Sequence, residues 1–223
     1  MTAKKPGKAD ADRRPEILAA VLAHVPFDGW SQAALARAAD DLSLDKGLVR
    51  LVFPGGPLEV IDYFSASADA DMILALKQAR MGEFKVRERI MLAVRCRIEA
   101  VAPHTQAVRR AVNFLALPTH APDGLAMLYR TVDNMWRAVG DDSTDFNFYT
   151  KRLTLAGVFS STLLYWLGDE SPDYGATWAF LDRRIAEVMQ IEKCKAELKK
   201  PLDNLPDIWG FLGKLRYPGS GLR

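Results

Sequence analysis

Residues 31–57 read SQAALARAADDLSLDKGLVRLVFPGGP, and their punctuation sets the fold class. Ser31 stands where a hydroxyl caps a helix, and Ala34, Leu35, Ala38 and Leu42 follow at helical spacing. Asp45 is a second capping residue, placed before the short apolar run KGLVRLVF. Pro54-Gly55-Gly56 stops that run, and Pro57 opens a long helix at its first position, where proline is tolerated. Upstream, Glu16 to Val25 forms a first helix with Ile17, Leu18, Val21, Leu22 and Val25 on one face, broken by Pro26 to Gly29.

The same 3.6-residue spacing recurs downstream. It predicts helices over Lys85–Val101, Thr105–Leu115, Pro122–Val139, Asp145–Trp166 and from Pro172 to about Lys193, the last started by Ser171-Pro172. Alternating strand patterns are absent. The helix from Phe146 to Trp166 is apolar nearly all round, as in a helix that is central or shared with a second subunit. The expected architecture is all-α. Residues 1–12 form a polar tail, 13–56 a three-helix unit with a helix-turn-helix, 57–192 a larger helical body, and 193–223 a segment broken up by Pro201, Pro206 and Pro218.

Composition narrows the function. The chain has 223 residues and a formal net charge of +2, so it is no general polyanion binder. Residues 193–223 carry seven basic and three acidic residues, a net +4, so the basic character lies at the C-terminal end. Cys96 and Cys194 cannot build a structural zinc site unaided, and His24, His104 and His120 show no ligand spacing with them. They read as two unpaired thiols. No apolar run reaches the length of a membrane span, and the polar start MTAKKPGKADADRR does not resemble a secretory signal. There is no phosphate-cradling glycine loop, His-Glu-x-x-His or Cys-x-x-Cys, so no enzyme is indicated.

Residues 140–152, GDDSTDFNFYTKR, gather three aspartates beside Phe146, Phe148 and Tyr149. Asp141, Ser143 and Asp145 alternate as in a calcium loop, but the glycine and glutamate that such a loop requires are here Phe146 and Arg152. Catalytic carboxylates lack a partner acid or base. A helix cap accounts for one aspartate, and the adjacent aromatics suit a docking surface.

The three short helices before KGLVRLVFPGG resemble the DNA-binding unit of the tetracycline-repressor fold through Lys46, Gly47, Val49, Phe53 and Pro54. Arg50 replaces that family's phosphate-contacting tyrosine, Leu51 and Val52 stand at its polar positions, and Gly56 replaces a lysine. Residues 13–59 hold five bases (Arg13, Arg14, Arg37, Lys46, Arg50) against six acids. Duplex affinity comes largely from neutralised phosphates, so this scaffold is expected not to bind DNA. A ligand-responsive repressor of this fold is the alternative reading.

TVDNMWRAVGDDSTDFNFYTKR, SPDYGATWAFLDRRI, HVPFDGWSQAAL and the step from Leu115 to Pro118 resemble the coenzyme Q (ubiquinone) biosynthesis accessory family of lipid-binding proteins with a TetR-like fold. The resemblance implies a non-catalytic homodimer without a cofactor that binds isoprenoid lipid, a ubiquinone intermediate or phospholipid. It implies presentation of substrate to the demethoxyubiquinone hydroxylase at a membrane surface. It also implies a hydroxylase-docking set of Asp133, Met135, Trp136, Asp145, Phe148, Tyr149 and Arg152. The family's eukaryotic members carry tryptophan where this chain has Phe148. A bacterial cytoplasmic protein, peripheral on the inner membrane, is the expected location.

A polyprenyl tail requires an apolar cavity between helices. Leu92, Phe114, Leu117, Leu155, Phe159 and Leu163 are the candidate lining positions. Near the C-terminus, Ile208, Trp209, Phe211, Leu212 and Leu215 share a helical face beside Lys214 and Arg216, a candidate membrane contact. Burying a large apolar side chain is worth about 1.5–3 kcal/mol, and each base near anionic lipid adds about 1 kcal/mol. That pattern supports reversible surface binding.

Overall fold

The computed structural model describes residues 13–79, 81–141 and 146–203, with side chains described up to residue 190 except at 81, 146 and 147. Every regular element among them is helical, as the sequence predicts. The α-helices are α1 (Arg14–Asp28), α2 (Gln32–Asp41), α3 (Lys46–Val52), α4 (Pro57–Gln78), α5 (Val86–Val101), α6 (Thr105–Leu115), α7 (Ala121–Ala138), α8 (Phe146–Trp166) and α9 (Gly175–Asp203). The chain divides into two compact units, residues 1–182 and 183–223.

The predicted caps form. Ser31 Oγ accepts from Ala34 N at 3.2 Å, and Asp45 Oδ1 from Gly47 N at 2.7 Å. Gly56 adopts a φ of 63°, a conformation that residues with a side chain rarely adopt, which suits glycine to the turn before Pro57. α1 runs past its predicted end, through Pro26 to Asp28. The expectation that Pro26 breaks the helix is corrected here. The exposed carbonyls of its last turn have partners: Arg110 Nη2 donates to Pro26 O at 2.7 Å, and Gly29 N donates to Val25 O before Gly29 turns the chain at φ 66°.

α9 also outruns its predicted end near Lys193 and continues across Pro201 to Asp203, correcting the break expected at that proline. The run KCKAELKK is made largely of good helix formers. Its start is moved too: Pro172–Tyr174 form a 3₁₀ turn before Gly175. Asp169 anchors that turn, accepting from Ser171 N and Thr177 N at 2.8 Å each and from Thr177 Oγ1 at 2.5 Å. Those hydrogen bonds hold the Asp169 carboxyl well below the usual carboxylate range.

Within residues 1–182, α1 packs on α2 and α6, and α4 packs on α5 and α7. Trp30 Nε1 donates to Ala107 O at 3.0 Å in the interior, tying the N-terminal helices to α6. Arg14 closes the three-helix unit. It donates to Val52 O at 3.0 Å, pairs with Glu59 at 2.7 Å and lies over the Phe53 ring at 5.0 Å. α7 and α8 flank the body and leave a hollow against α4, α5 and α6.

Candidate functional site

That hollow is a cavity of about 440 Å³, within the range of small-ligand sites. Each surrounding helix contributes the face that its apolar spacing turns inward. α4 supplies Ile61 and Phe64, α5 Val101, α6 Val108 and Leu115, α7 Met127 and Leu128, and α8 Phe159 and Leu163. Its outer rim includes Leu125 and Leu164, both exposed to solvent, whereas Ile61, Arg97, Val101 and Thr131 at the inner end are buried.

The polar lining residues are Ser65, Arg97, Thr131 and Ser160. Arg97 is only 6% exposed. Its Nε donates to Asp69 Oδ1 at 2.7 Å, and Nη2 donates to Ser65 O and Oγ, each at 3.2 Å. Thr131 Oγ1 and Asn134 Nδ2 donate to the same Asp69 carboxylate at 2.9 and 3.2 Å. Arg130 approaches it at 3.6 Å and also pairs with Asp62. Burial pushes the Arg97 guanidinium below its ordinary pKa, and the Asp69 charge opposes that shift. Sequence reasoning missed this cluster. The signal was present: Asp69 lies on the α4 face of Ile61, Phe64, Ala68, Met72 and Leu76, and Arg97 lies between Val94, Ile98 and Val101 on the buried face of α5.

The junction of α7 and α8 is organised around Arg152, which is 2% exposed. Its Nε donates to Asp133 Oδ1 at 2.7 Å, and Nη1 lies 3.5 Å from Asp141 Oδ2 and 3.3 Å from Phe148 O. The guanidinium lies 3.3 Å from the Phe148 ring centroid. Asp141 also accepts from Lys151 at 2.8 Å, and the Lys151 ammonium lies 5.5 Å from the Trp136 ring centroid. Asp133 takes a second pair from Arg137 at 2.7 Å. Tyr149, 67% exposed, packs edge-on against Phe148 at 5.1 Å between centroids.

The predicted docking residues thus divide by depth. Tyr149 is on the surface, and Asp133, Trp136 and Phe148 are half-buried. Met135 and Arg152 are buried, so they hold the surface rather than form it. Phe148 lies under the Arg152 guanidinium, 3.3 Å from ring centroid to guanidinium carbon. Asp145 lies outside the described residues, as do Ile208, Trp209, Phe211, Leu212 and Leu215 of the C-terminal segment. Of the predicted lining residues, Phe159 and Leu163 reach the cavity. Leu155 is buried elsewhere, Leu92 is half-buried away from it, and Leu117 is exposed. Phe114 instead stacks on His120 at 4.4 Å. Helical spacing marks an inward face, but which inward residues meet a void depends on how neighbouring helices splay.

Among the described residues there is no group of three or more His, Cys, Asp or Glu side chains suited to a metal ion. No helix among them is long and apolar enough to cross a membrane. Cys96 is a free thiol whose pKa burial pushes up.

A solved structure described as the TetR transcriptional regulator from Nitrosomonas europaea ATCC 19718 shares this fold. Its TM-score is 0.65 at 20% identity, over 79% of this chain and 97% of that one. By sequence, a family model described as COQ9 matches residues 121–192, which include all of α7 and α8 and the junction between them. The chain is 33% identical over 204 residues to "Ubiquinone biosynthesis protein COQ9, mitochondrial" of Rattus norvegicus, covering 88% of this chain and 64% of that protein. It is 35% identical over 192 residues to the Drosophila melanogaster protein of the same name, covering 84% and 58%. The Homo sapiens protein of that name is 31% identical over 204 residues, covering 88% and 63%. The chain therefore spans less than two thirds of the length of these relatives. All three are named as mitochondrial, which overturns the bacterial cytoplasmic location expected from the sequence. In keeping with its TetR-like all-α fold, the chain is similar to the COQ9 proteins over most of its length and matches the COQ9 family model over residues 121–192.

Proposed function

We propose that this chain takes part in ubiquinone biosynthesis as a non-catalytic accessory protein. It holds an isoprenoid lipid or ubiquinone intermediate between α4, α5, α6, α7 and α8, and it presents that lipid to the demethoxyubiquinone hydroxylase at a membrane surface. The names of its relatives support the pathway. The observation that carries the lipid reading is the cavity of about 440 Å³, whose lining is apolar apart from four residues and whose rim leucines are exposed. An apolar chain in such a space is stabilised by about 0.8 kcal/mol per buried methylene.

Docking of the hydroxylase is assigned to the ground around Tyr149. An exposed aromatic held in place by a buried ion-pair network loses little side-chain entropy on binding, the character of an interface anchor. A homodimer is part of the same reading. Leu153, Leu164 and Tyr165 on α8 are exposed in the single chain, and a second copy is a natural cover for that apolar helix. The experiment is reconstitution. Hydroxylase and demethoxyubiquinone in vesicles are assayed with and without the full chain. Faster turnover with the chain is expected, and unchanged turnover at saturating chain contradicts the role.

A further inference from the structure

The connection between α4 and α5 brings a second exposed aromatic to the α7–α8 junction. We propose that Phe84, with Val86 beside it, is a further anchor of the docking surface around Tyr149, and that Arg89 is the residue that positions it. The inference rests on the docking assigned to Tyr149 above and extends that surface onto the α4–α5 connection.

The connection is strapped to the junction by one side chain. Arg89, in the first turns of α5, donates from Nε to Phe84 O at 2.9 Å and from Nη2 to Gly82 O at 3.5 Å. Its Nη1 donates to Val139 O at 3.4 Å. Val139 caps the C-terminal end of α7, where carbonyls lack intrahelical partners and a cation is favoured. Two residues further on, Asp141 accepts from Lys151 and lies beside Arg152, in the turns of α8 that carry Tyr149. The helix end that holds Arg89 is therefore continuous with the ion pairs that support Tyr149.

The anchors are exposed on a fixed backbone. Phe84 is 42% exposed and Val86 59%. Lys85 N donates to Glu88 Oε2 at 2.8 Å and so caps α5, and Arg87 pairs with Asp182. A ring whose backbone is held before a partner arrives loses less entropy on binding. Singly scattered surface apolar residues need no explanation, but these two are neighbours and lie on an element tied to a second exposed aromatic.

The area required points the same way. A specific interface covers about 800 Å² on each partner, a patch roughly 30 Å across. Tyr149 and the half-buried side chains around it cannot fill that footprint, so a partner seated there must extend over adjoining surface. At the C-terminal end of α7, the Arg89 strap makes the α4–α5 connection that surface. Lys85, exposed between the two apolar side chains, forms no ion pair among the described residues. The complement on the hydroxylase is an apolar socket with a carboxylate at its edge.

The test measures binding of the full chain to the hydroxylase, with melting temperature and extracted lipid recorded for every variant. Phe84→Ala should weaken binding about tenfold, the scale of an aromatic anchor, and leave melting temperature and lipid content unchanged. Lys85→Glu should weaken it too, and by less as salt is raised. Arg89→Gln should weaken binding in the wild-type background but add nothing in Phe84→Ala, because it acts by placing that ring. If Tyr149→Ala weakens binding and Phe84→Ala does not, this inference is wrong while the docking reading stands. An Arg89→Gln effect undiminished in Phe84→Ala overturns the positioning role. If neither aromatic variant changes binding, or wild type does not bind, the docking reading fails and this inference with it.

Discussion

Arg152 and Asp133 are joined at 2.7 Å across the α7–α8 junction, the arginine almost wholly buried and the aspartate half so. The pair ties the first turns of α8 to α7 and makes a platform of the two facing helix ends. Arg152→Met leaves Asp133 and Asp141 without their shared cation. It should cost about 3 kcal/mol, the scale for breaking a buried pair, read as a lowered urea midpoint with an unchanged slope. A variant as stable as wild type would show that the network is ornamental.

Tyr149 stands on that platform with two thirds of its surface in water. Tyr149→Ala should leave the melting temperature and any bound lipid unchanged and weaken hydroxylase pull-down at least tenfold, the scale of an aromatic anchor. An equal pull-down would make the junction a helix cap and nothing more.

Asp169 supplies a pH dependence. Its folded pKa is lowered by hydrogen bonds from Ser171 and Thr177. The cap therefore contributes its full stability above the unfolded aspartate pKa of about 4 and loses it progressively as pH falls below that value. Wild type should exceed Asp169→Asn in stability at neutral pH, and the gap should narrow in acid. A gap independent of pH down to pH 2 would mean that the carboxylate is not the source.

Leu163 points into the cavity, so a larger ring there fills empty space. Leu163→Trp should displace an apolar ligand while leaving the melting temperature unchanged or raised, because cavity filling commonly stabilises. A marked fall in melting temperature would place Leu163 in packed core instead.

Much of the fold was legible in the sequence. Ser31, Asp45 and Pro57 each marked a helix start that the structure repeats, because capping chemistry is local. The ends of α1 and α9 were misread for the opposite reason. α1 keeps Pro26 in its last turn, where the Pro26 carbonyl takes a hydrogen bond from Arg110, distant in sequence, and the helix-forming run before Pro201 carries α9 onward. At the site, Phe159 and Leu163 were readable as an inward face, whereas the rest of the lining depends on helix packing. The Asp69–Arg97 pair was visible only as two charges on apolar faces, and nothing in one-dimensional spacing said that they meet.

Organic extraction of the purified, folded full chain followed by mass spectrometry shows whether the cavity holds lipid. An isoprenoid, quinone or phospholipid should be recovered from wild type and be strongly depleted from Leu163→Trp. Wild-type protein that yields no lipid, and takes none up when offered decylbenzoquinone, would contradict the lipid reading.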